Sequence, residues 1–554
     1  MKEKLERVIK EMLKKVGIKN PAKVTIERPA DSSHGDYSTN VALTYCKDFS
    51  LSPHDLALKL ASELERHKPE EVEKIEIAGP GFINFFLSKQ FLADSVKEIL
   101  KQKNSFGQNK TLSKEGVMVE YTDPNPFKEF HIGHLMSNTI GESISRLLEW
   151  NGAKVRRANY QGDVGIHVAK ALWGKLKDPA SSWGQTYAQG AKQYDENETA
   201  KKEIAELNKK IYARSDTEIN KLYDQGKSES LKQFEKMYTR LGTRFDFFFF
   251  ESSTGEFGKG IVQENTPGIF EKSDGAVVFK GEPYGLHTRV FLNSDGLPTY
   301  ETKELGLAEI KYEKYAYTKS IVITGNEVND YFKVLLKVLE LISPDLASKT
   351  LHISHGMLRL PEGKMSSRTG NVITAESLID EVREKVKEKV SDRDLTDGEK
   401  EIISEQVAVG AIKYSILKQA SGKDIIFDFD KSLSFEGDSG PYLQYAHTRA
   451  KSILVKAREE GIKEDARKGN PGSLERLLVH FSEVVEHAGK EHEPHYVVTY
   501  LTELAGAFNS FYAKEKIVDS KDLASAYKVA LTSAVAAVLK NGLTLLGIPA
   551  PDKM

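Results

Sequence analysis

The sequence contains one cysteine, Cys46, which excludes an internal disulfide framework and a cysteine-based zinc site. It has no apolar run near the ~18 residues that a membrane-spanning helix needs. Residues 1–17 form a charged amphipathic pattern that lacks the apolar core of a signal peptide. Neither sign of charge dominates, since 79 basic and 81 acidic residues give a net charge of −2, so nucleic-acid binding would depend on a local basic face. These absences favour a protein of the reducing cytosol.

What the sequence does have is length and an ordinary globular composition. Its 554 residues exceed what one hydrophobic core supports, so we expect three or four domains. Hydrophobic residues make up 39% and charged residues 29%, which is typical of folded rather than disordered chains.

The stretch VEYTDPNPFKEFHIGHLMSNTIGESISR, residues 119–146, predicts a buried strand, a proline-broken loop and an amphipathic helix. The helix is expected to begin near His131, which places His131 and His134 on one side of its first turn. Gly133 between them permits close approach of a flat ligand. Free backbone N–H groups and the helix dipole at this end favour an anion, and two imidazoles add donors. The alternative is a histidine pair on a surface helix.

A second stretch, LHISHGMLRLPEGKMSSRTGN over residues 351–371, predicts a strand followed by a loop rich in glycine and serine. The flanking glycines would let this loop close over a ligand. Lys364 places a compact charge on a flexible stem, which suits a departing pyrophosphate. Taken by itself, the loop also fits a solvated basic turn.

Together the two motifs resemble the paired signatures of class I aminoacyl-tRNA synthetases, with HIGH at residues 131–134 and KMSS about 230 residues later. The resemblance implies that the chain binds ATP with Mg²⁺, the ion being held mainly by phosphates and water. It implies no tightly bound cofactor and no metal held by the protein itself. The implied ATP-binding residues are His131, Gly133, His134, Lys364, Met365, Ser366 and Ser367.

Three further segments resemble the arginyl-tRNA synthetases in particular. HGDYSTNVA (residues 34–42) and GPGFINFFL (79–87) are similar to the additional domain at the N-terminus of that family, and GPYLQYAH (440–447) is similar to a later helix. The first segment predicts a turn followed by a helix start. The second predicts a turn that leads into a strand with Ile83, Phe85 and Leu87 on one face.

We therefore expect a multidomain α/β plus all-α protein. Residues 1–110 would form a small α/β N-terminal additional domain that contacts tRNA, residues 111–375 a Rossmann-type parallel-sheet catalytic domain, and residues 376–554 a helical stem-contact and anticodon-binding domain. A strand–helix–strand pattern from 117 to 160 supports the parallel sheet, and QGDVGIH (161–167) resembles the family's next segment. An insertion is expected at about 173–290. Within it, FDFFFF (245–250) is interpreted as a core strand rather than a base-stacking platform.

Arginine as a substrate requires carboxylates in bidentate geometry around a planar cation with five donors. The arginine-binding candidates are Glu120, Asp123, Asn125, Tyr300, Glu304 and Asn326. The family match implies that Glu120 and Glu304 hold the guanidinium beside Tyr300, and that Asn125 holds the backbone amine or carboxylate. The family more often has Asp where this chain has Glu304. Solvated loop charges are the alternative for these acids.

Adenylation would join arginine to ATP and release pyrophosphate. The predicted donors to the phosphates are the catalytic candidates His131, His134, Lys128 and Lys364, and one such donor is typically worth roughly 3–4 kcal/mol, or about 10²–10³ in rate. A carboxylate nucleophile needs no general base, so positioning and electrostatics would carry the step. The resemblance also implies that tRNA is required for activation, before the arginyl group passes to a 3′-terminal ribose hydroxyl.

A tRNA would be held by phosphate contacts from lysine and arginine and by stacking of unpaired bases on aromatic rings. The tRNA-contact candidates are Tyr37, Asn40, Tyr442, Tyr445, Phe508, Phe511 and Tyr512. The C-terminal helices resemble the family's anticodon-binding domain, although LASAYKVAL stands where the family has an Asp-Ala-Leu-Arg run. A generic helix bundle is the alternative for this region.

The sequence thus predicts a cytoplasmic, monomeric family member that binds ATP, L-arginine and the tRNA for arginine, and no membrane. Two other interpretations stay open at this point. One is a class I synthetase for another amino acid, and the other is an inactive tRNA-binding relative.

Overall fold

The computed structural model describes residues 1–18, 20–21, 24–360, 373–467 and 469–554. The predicted ATP-site residues Lys364, Met365, Ser366 and Ser367 lie outside the described residues. Across the ranges given above, no helix combines the length and the apolar character needed to cross a membrane.

The N-terminal region is an antiparallel sheet packed against helices. Its elements are α1 (Lys2–Lys15), β1 (Ile26–Glu27), β2 (Tyr37–Thr39), α2 (Val41–Tyr45), α3 (Pro53–His67), β3 (Val72–Ala78), β4 (Phe82–Leu87) and α4 (Lys89–Gln102). The strand order is β1-β2-β4-β3. In β4, Ile83, Phe85 and Leu87 are buried, which confirms the predicted alternation.

The motif at residues 34–42 departs from its prediction. The sequence predicts a turn that leads directly into a helix, but Tyr37–Thr39 pairs with β4 as a strand before α2 begins. Tyr37 and Thr39 both point into the core. Aromatic and β-branched side chains favour such a half-buried pleated surface, and this preference explains the additional strand.

The central region is built on a parallel sheet. Its elements are β5 (Gly116–Glu120), α5 (Ile132–Trp150), β6 (Lys154–Gln161), α6 (Ile166–Lys177), α7 (Trp183–Glu196), α8 (Glu198–Ala213), α9 (Thr217–Leu241), β7 (Phe247–Phe250), α10 (Glu251–Glu264), β8 (Glu271–Ser273), β9 (Ala276–Phe279), β10 (Arg289–Leu292), α11 (Tyr300–Lys314), β11 (Lys319–Gly325), α12 (Asn329–Ile342), α13 (Pro344–Lys349), β12 (Thr350–His355) and β13 (Leu358–Arg359). Five strands pair in the order β12-β11-β5-β6-β7, which confirms the predicted Rossmann-type sheet.

The two faces of the central sheet are covered by different helices. Val119 and Tyr121 pack toward α5, whereas Met118 packs toward Leu307 of α11. Because the strands are parallel, the carboxyl ends of β5, β6 and β11 lie at one edge, where ligands bind in open sheets of this kind.

The region predicted as an insertion, residues 173–290, is divided by a strand of the sheet. Phe247–Phe250 pairs in parallel with β6 and forms the edge strand. Phe249 is buried and Phe248 is 43% exposed, so the phenylalanine run packs as a strand. The additions to the sheet are helices α7 to α9 before this strand and the antiparallel sheet of β8, β9 and β10 after it.

The C-terminal region is almost wholly helical over its described residues, as predicted. Its elements are α14 (Ala375–Lys389), α15 (Asp397–Leu417), β14 (Ile425–Ile426), α16 (Phe429–Ser432), α17 (Gly440–Glu459), α18 (Ser473–Val479), α19 (Phe481–Glu491), α20 (His495–Lys514) and α21 (Ser525–Leu545). These helices share one apolar core with α5. Gly547 follows α21 with a φ of +64°, a conformation that suits glycine and ends the helix.

Two basic side chains join the central and C-terminal regions at helix ends. Lys413 of α15 is 1% exposed and donates to the carbonyl oxygens of Leu241, at 2.7 Å, and Gly547, at 2.8 Å. Arg146 of α5 donates to the carbonyl oxygen of Thr544 at 2.9 Å. The C-terminal end of a helix presents unpaired carbonyls and a partial negative charge, which stabilise cations placed there.

Replacing Lys413 by Met is expected to lower the free energy of unfolding by roughly 2–4 kcal/mol, because two buried carbonyl groups lose their donor. Urea denaturation measures this change. Lys418→Met is the matched control, since Lys418 is 30% exposed and pairs with Asp438 at the surface; its cost should stay below ~1 kcal/mol. Equal costs for the two substitutions would contradict the capping role of Lys413.

Candidate active site

The loop after β5 follows a backbone path that is rare outside glycine. Thr122, Asp123 and Phe127 have φ values of +80°, +47° and +69°. The hydroxyl of Ser137 accepts a hydrogen bond from the N–H of Thr122 at 2.9 Å. That of Ser230 accepts one from the N–H of Phe127 at 2.9 Å. Such strain persists only where the surroundings fix it, and it concentrates at functional sites.

Two imidazoles cap the first turn of α5. The N–H of His131 donates to Nδ1 of His134 at 3.2 Å, and the N–H of Gly133 donates to Nδ1 of His131 at 3.1 Å. The two rings stack with their centroids 3.6 Å apart. Since each Nδ1 accepts a hydrogen bond, each ring carries its proton on Nε2 and is a neutral donor.

This arrangement corrects the expectation of free backbone N–H groups at the start of the helix. The N–H groups of His131, Ile132 and Gly133 all have partners, that of Ile132 being the carbonyl of Ile373 at 3.3 Å. An anion would therefore meet imidazole N–H groups instead of these three backbone groups. Burial lowers the pKa of both histidines and the charge of Lys128 lowers it further, so the rings stay neutral.

The residues that follow the predicted KMSS loop pair with the HIGH motif. His131 forms an antiparallel bridge with Thr374, next to the hydrogen bond between Ile132 and Ile373. Lys364 precedes Thr374 by ten positions, a distance that an extended chain spans in at most roughly 35 Å. The described chain that follows the second motif is thus anchored at the first.

A cluster of three carboxyl groups, which we call the acidic pocket, lies at the carboxyl edge of the sheet. Glu120 ends β5, Asp123 follows in the loop, and Glu304 lies on α11. Burial raises the pKa of Asp123 and of Glu304, and the negative charge of Glu120 raises both further. Oδ1 of Asp123 accepts the N–H of Tyr160 at 2.7 Å. The structure therefore brings the three predicted carboxylates close enough to act on one another.

Lys311 belongs to this pocket, and the sequence reasoning missed it. Its Nζ donates to Oε2 of Glu120 at 2.6 Å, and the two side chains are 5% and 1% exposed. Lys311 lies seven residues after Glu304, two turns along the same face of α11, and that spacing is the signal that would have found it. One ammonium against three carboxylates leaves a negative pocket that suits a guanidinium.

The other arginine candidates differ in their exposure. Tyr300 is 57% exposed at the start of α11, Asn326 is exposed in the turn after β11, and Asn125 is half-buried. Gly162 lies directly against Asn125. A Cβ atom at residue 162 would be 2.2 Å from Oδ1 of Asn125, so this close approach requires glycine.

Lys128, a predicted phosphate donor, is half-buried between the loop and the helices added to the sheet. Its Nζ lies 4.8 Å from the ring centroid of Tyr187 in α7. Burial lowers the pKa of Lys128, while the carboxylate of Glu251 raises it. The added helices therefore form one wall beside this lysine.

A second group of charges borders the site, and sequence reasoning did not select it. Lys303 and Glu251 form a buried ion pair at 2.6 Å. Asp163, from the segment at 161–167, accepts hydrogen bonds from Nζ of Lys227 at 2.6 Å and from the N–H of Ser252 at 2.8 Å. Asp163 thus joins α9 to the first turn of α10 beside the pocket.

Three family models match consecutive parts of the chain. The tRNA synthetases class I (R) catalytic domain matches residues 95–429, the arginyl tRNA synthetase N terminal domain matches 3–87, and the DALR anticodon binding domain matches 443–554. The first model alone covers more than half of the chain.

The chain belongs to the arginyl-tRNA synthetase family.

Relatives and solved structures of this family align over nearly the whole chain. An arginine–tRNA ligase of Treponema denticola is 33% identical over 96% of this chain and 95% of its own length, and one of Clostridium acetobutylicum is 31% identical over 96% of each. The arginyl-tRNA synthetase structure of Thermus thermophilus covers 100% of both chains with a TM-score of 0.81 and 26% identity. That of Plasmodium falciparum, at 21% identity and a TM-score of 0.79, supports the fold.

Two predicted tRNA contacts of this family member are wrong because their side chains are buried. Tyr37 is 1% exposed, and its hydroxyl donates to Oε1 of Glu483 at 2.9 Å. Phe508 is 0% exposed in the core of the C-terminal helices. Neither ring has a face that a base can reach. Asn40, beside this strand, is half-buried, and no described atom hydrogen-bonds its Oδ1.

The remaining C-terminal candidates lie at or near the surface. Tyr442, Tyr445 and Phe511 are half-buried, and Tyr512 is 46% exposed. Arg449, which sequence reasoning missed, lies with its guanidinium 4.6 Å from the ring centroid of Tyr445 and 5.0 Å from that of Tyr512. We call Tyr445, Arg449 and Tyr512 the aromatic–arginine surface.

Arginine binding is expected to weaken as the pH falls, and to do so at higher pH values than those at which ordinary carboxyl groups become protonated. Asp123 and Glu304 attract a guanidinium only when they are ionised. Because their pKa values are raised, they become protonated at a pH closer to neutral than ordinary carboxyl groups do. As the pH falls through these values, the KM for arginine should rise more than the KM for ATP. Aminoacylation kinetics at saturating tRNA between about pH 5 and 8 measure both constants.

Glu304→Gln tests the same pocket without a change of pH. It should raise the KM for arginine much more than that for ATP, and it should flatten the dependence of the arginine KM on pH. An arginine KM that is insensitive both to pH and to this substitution would rule out the role given to Glu304.

Phe508→Ala and Tyr512→Ala should have different effects, the first on the stability of the fold and the second on RNA binding. Loss of the buried ring is expected to cost about 3–5 kcal/mol of unfolding free energy. Loss of the exposed ring should cost little stability but weaken tRNA binding by roughly 1–3 kcal/mol if a base stacks there. Urea denaturation and a filter-binding titration with tRNA measure the two effects, and the opposite pattern would refute the assignment of the surface.

Proposed function

We propose that the chain is an arginine–tRNA ligase of the cytoplasm that works as a monomer. It activates L-arginine with Mg²⁺-ATP, releases pyrophosphate, and transfers the arginyl group to the 3′ end of its tRNA. The observation that carries this proposal is the bridge between His131 of the first signature motif and Thr374, a residue ten positions after Lys364 of the second. The single cysteine is consistent with a reducing compartment.

The acidic pocket selects the substrate. Glu304 and Asp123 supply the unbalanced negative charge, while Glu120 forms the floor with Lys311. A planar guanidinium presents five donors, which a compact ammonium does not, so two converging carboxylates favour arginine over lysine. Tyr300 at the rim closes over the guanidinium.

The backbone of the substrate is placed by amide side chains. Asn125, fixed against Gly162, and Asn326, at the end of β11, take the amine and carboxylate groups of arginine. Holding the carboxylate near the α-phosphate converts adenylation into an effectively unimolecular attack that needs no general base.

The phosphates are bound by neutral and charged donors together. Nε2–H of His131 and His134 and the ammonium of Lys128 face the α-phosphate, and Gly133 gives the nucleotide room. Lys364, with Met365, Ser366 and Ser367, closes on the β- and γ-phosphates, where Mg²⁺ is held mainly by phosphate oxygens and water. Positive charge that meets the leaving pyrophosphate lowers the barrier in the transition state.

The tRNA spans the chain. The aromatic–arginine surface, with Tyr442 and Phe511 beside it, receives unpaired anticodon bases by stacking. At the other end, Phe82 of β4 is 41% exposed and contacts the tRNA in place of the buried Tyr37, with Asn40 near the same sheet.

One assay tests the proposal as a whole. Unfractionated tRNA is charged with each labelled amino acid in turn, and arginine alone should be incorporated. Incorporation of a different amino acid would identify a class I synthetase of other specificity, and binding of tRNA without incorporation of any amino acid would identify an inactive relative.

His134→Ala is expected to lower the adenylation rate by about 10²–10³ while arginine affinity is largely kept, since one preorganised donor is removed. Lys364→Ala should have a similar effect. ATP–pyrophosphate exchange in the presence of tRNA measures the rate. His134→Asn is the matched control: it keeps a short acceptor near the N–H of His131 but lacks the Nε2 donor, so it should be slow and well folded. Near-normal rates in all three variants would exclude the mechanism.

A further inference from the structure

The N-terminal region is fastened to the C-terminal helices by the motif at residues 34–42. Oδ2 of Asp36 accepts a hydrogen bond from the guanidinium of Arg476 in α18 and another from the N–H of Leu87 at 2.7 Å. The Asp36 side chain is 2% exposed, and that of Arg476 is 30% exposed. A carboxylate buried to this degree is stable only because both partners are in place.

The next residue of the motif makes a second buried contact. The hydroxyl of Tyr37 donates to Oε1 of Glu483 in α19, which also accepts the N–H of Lys2 at 2.9 Å. The Tyr37 ring meets that of His480 edge-on, with the centroids 5.1 Å apart. Burial by itself would raise the pKa of Glu483, but hydrogen bonds from His480 and Lys2 lower it to about 2.

Glu483 therefore stays ionised throughout the physiological range. Because its pKa in the folded chain lies below the ordinary carboxyl value, its stabilising contribution is complete above that value and is lost only as the pH falls toward about 2. The acceptor of this contact is therefore not lost by protonation at neutral pH, and the contact ties the N-terminal region to α19.

We propose that Asp36, Tyr37 and Glu483 are positioning residues for tRNA, acting as an interdomain clamp that holds two RNA-binding surfaces at the spacing of one tRNA molecule. The proposal rests on the function above, in which both the N-terminal sheet and the aromatic–arginine surface contact the same tRNA. Asp36 and Tyr37 do not touch RNA because their side chains are buried. The Glu483 side chain is 25% exposed, and its Oε1 is occupied by the hydroxyl of Tyr37 and the N–H of Lys2.

The physical basis is effective concentration. When one surface has bound, a rigid spacing presents the second surface at the place where the RNA needs it, and the second contact becomes intramolecular. When the clamp is loosened, the second surface samples many positions relative to the first. Affinity for an RNA that spans both surfaces then falls, while affinity for an RNA that reaches only one surface is unchanged.

A direct electrostatic effect of these substitutions would change tRNA affinity in the opposite direction, which makes the test decisive. Asp36→Asn and Glu483→Gln each remove a negative charge from the protein, and removal of negative charge strengthens attraction for a polyanion. The clamp predicts weaker binding from the same substitutions. A fall in affinity therefore cannot come from the change in net charge.

The experiment compares two RNAs on the full chain: a transcript of the tRNA for arginine and its isolated anticodon stem-loop. Glu483→Gln, Asp36→Asn and Tyr37→Phe should each weaken binding of the full tRNA by about tenfold and leave stem-loop binding unchanged. The KM for arginine at saturating tRNA should not change. Unaltered stem-loop binding shows that the C-terminal helices are folded, and circular dichroism with urea denaturation checks the N-terminal region. Tyr37→Phe, which removes one hydroxyl, is the mildest of the three.

Glu503→Gln is the matched control. Glu503 belongs to the same interface and pairs with Arg28, but the two side chains are 47% and 37% exposed, so the pair contributes little and full-tRNA affinity should not fall. Full-tRNA affinity that is kept or raised in the three clamp variants would overturn the proposal, as would equal weakening of both RNAs. An error in the proposed function would give a different result: if the aromatic–arginine surface does not bind tRNA, Tyr512→Ala would leave the binding of both RNAs unchanged.

Discussion

The pairing of residues 130–132 with residues 373–375 is the constraint on which the active site depends. It ties the start of α5 to the start of α14, two elements separated by most of the central region. The hydrogen bonds are ordinary in strength, worth about 1 kcal/mol each net. Their importance is geometric, because they close a long loop of chain and bring residues 373–375, which follow the second signature motif, back to the first. The two imidazoles of that first motif can then face the same phosphates that the lysine of the second is proposed to bind.

The electrostatics of the site follow from uneven pairing of charge. Glu120 has Lys311 and Glu251 has Lys303, both in buried pairs at 2.6 Å. Among the described residues, no cation forms an ion pair with Asp123 or Glu304, and their pKa values are raised by burial and by the charge on Glu120 although Lys311 acts in the opposite direction. The fold thus concentrates carboxyl groups whose ionised forms repel one another, and the proposed binding of an arginine side chain would relieve that repulsion. Stability is given up at the place where binding needs it.

Periodicity and turn chemistry were sufficient to predict most of the architecture. The sequence from β5 through α5 to β6, the alternation in β4 and the helical C-terminal region all follow local rules that act over a few residues. The strand at Tyr37–Thr39 escaped prediction because its stabilising partner is a strand more than forty residues away. The first motif was placed correctly, but the donors were misassigned, since no sequence pattern reveals that the histidines cap their own helix.

Depth of burial was the property that the sequence described least well. Phe508 and Tyr512 lie four residues apart on one face of α20, yet the first is fully buried and the second is 46% exposed, because α20 extends beyond the core at its last turn. Lys311 was overlooked for a related reason: a lysine is expected at the surface unless its partner is known. In both cases the deciding contact comes from a distant part of the chain.

Helix α5 is continuous, and its two halves contact different parts of the protein. Its first residues carry the stacked imidazoles, and its later turns place Ser143 and Arg146 against the end of α21. Each residue of an α-helix turns the chain by about 100° and advances it by ~1.5 Å. A single inserted or deleted residue between these halves would swing one set of contacts away from its partners. The chain can therefore exchange side chains in this stretch during evolution, but it cannot change length there.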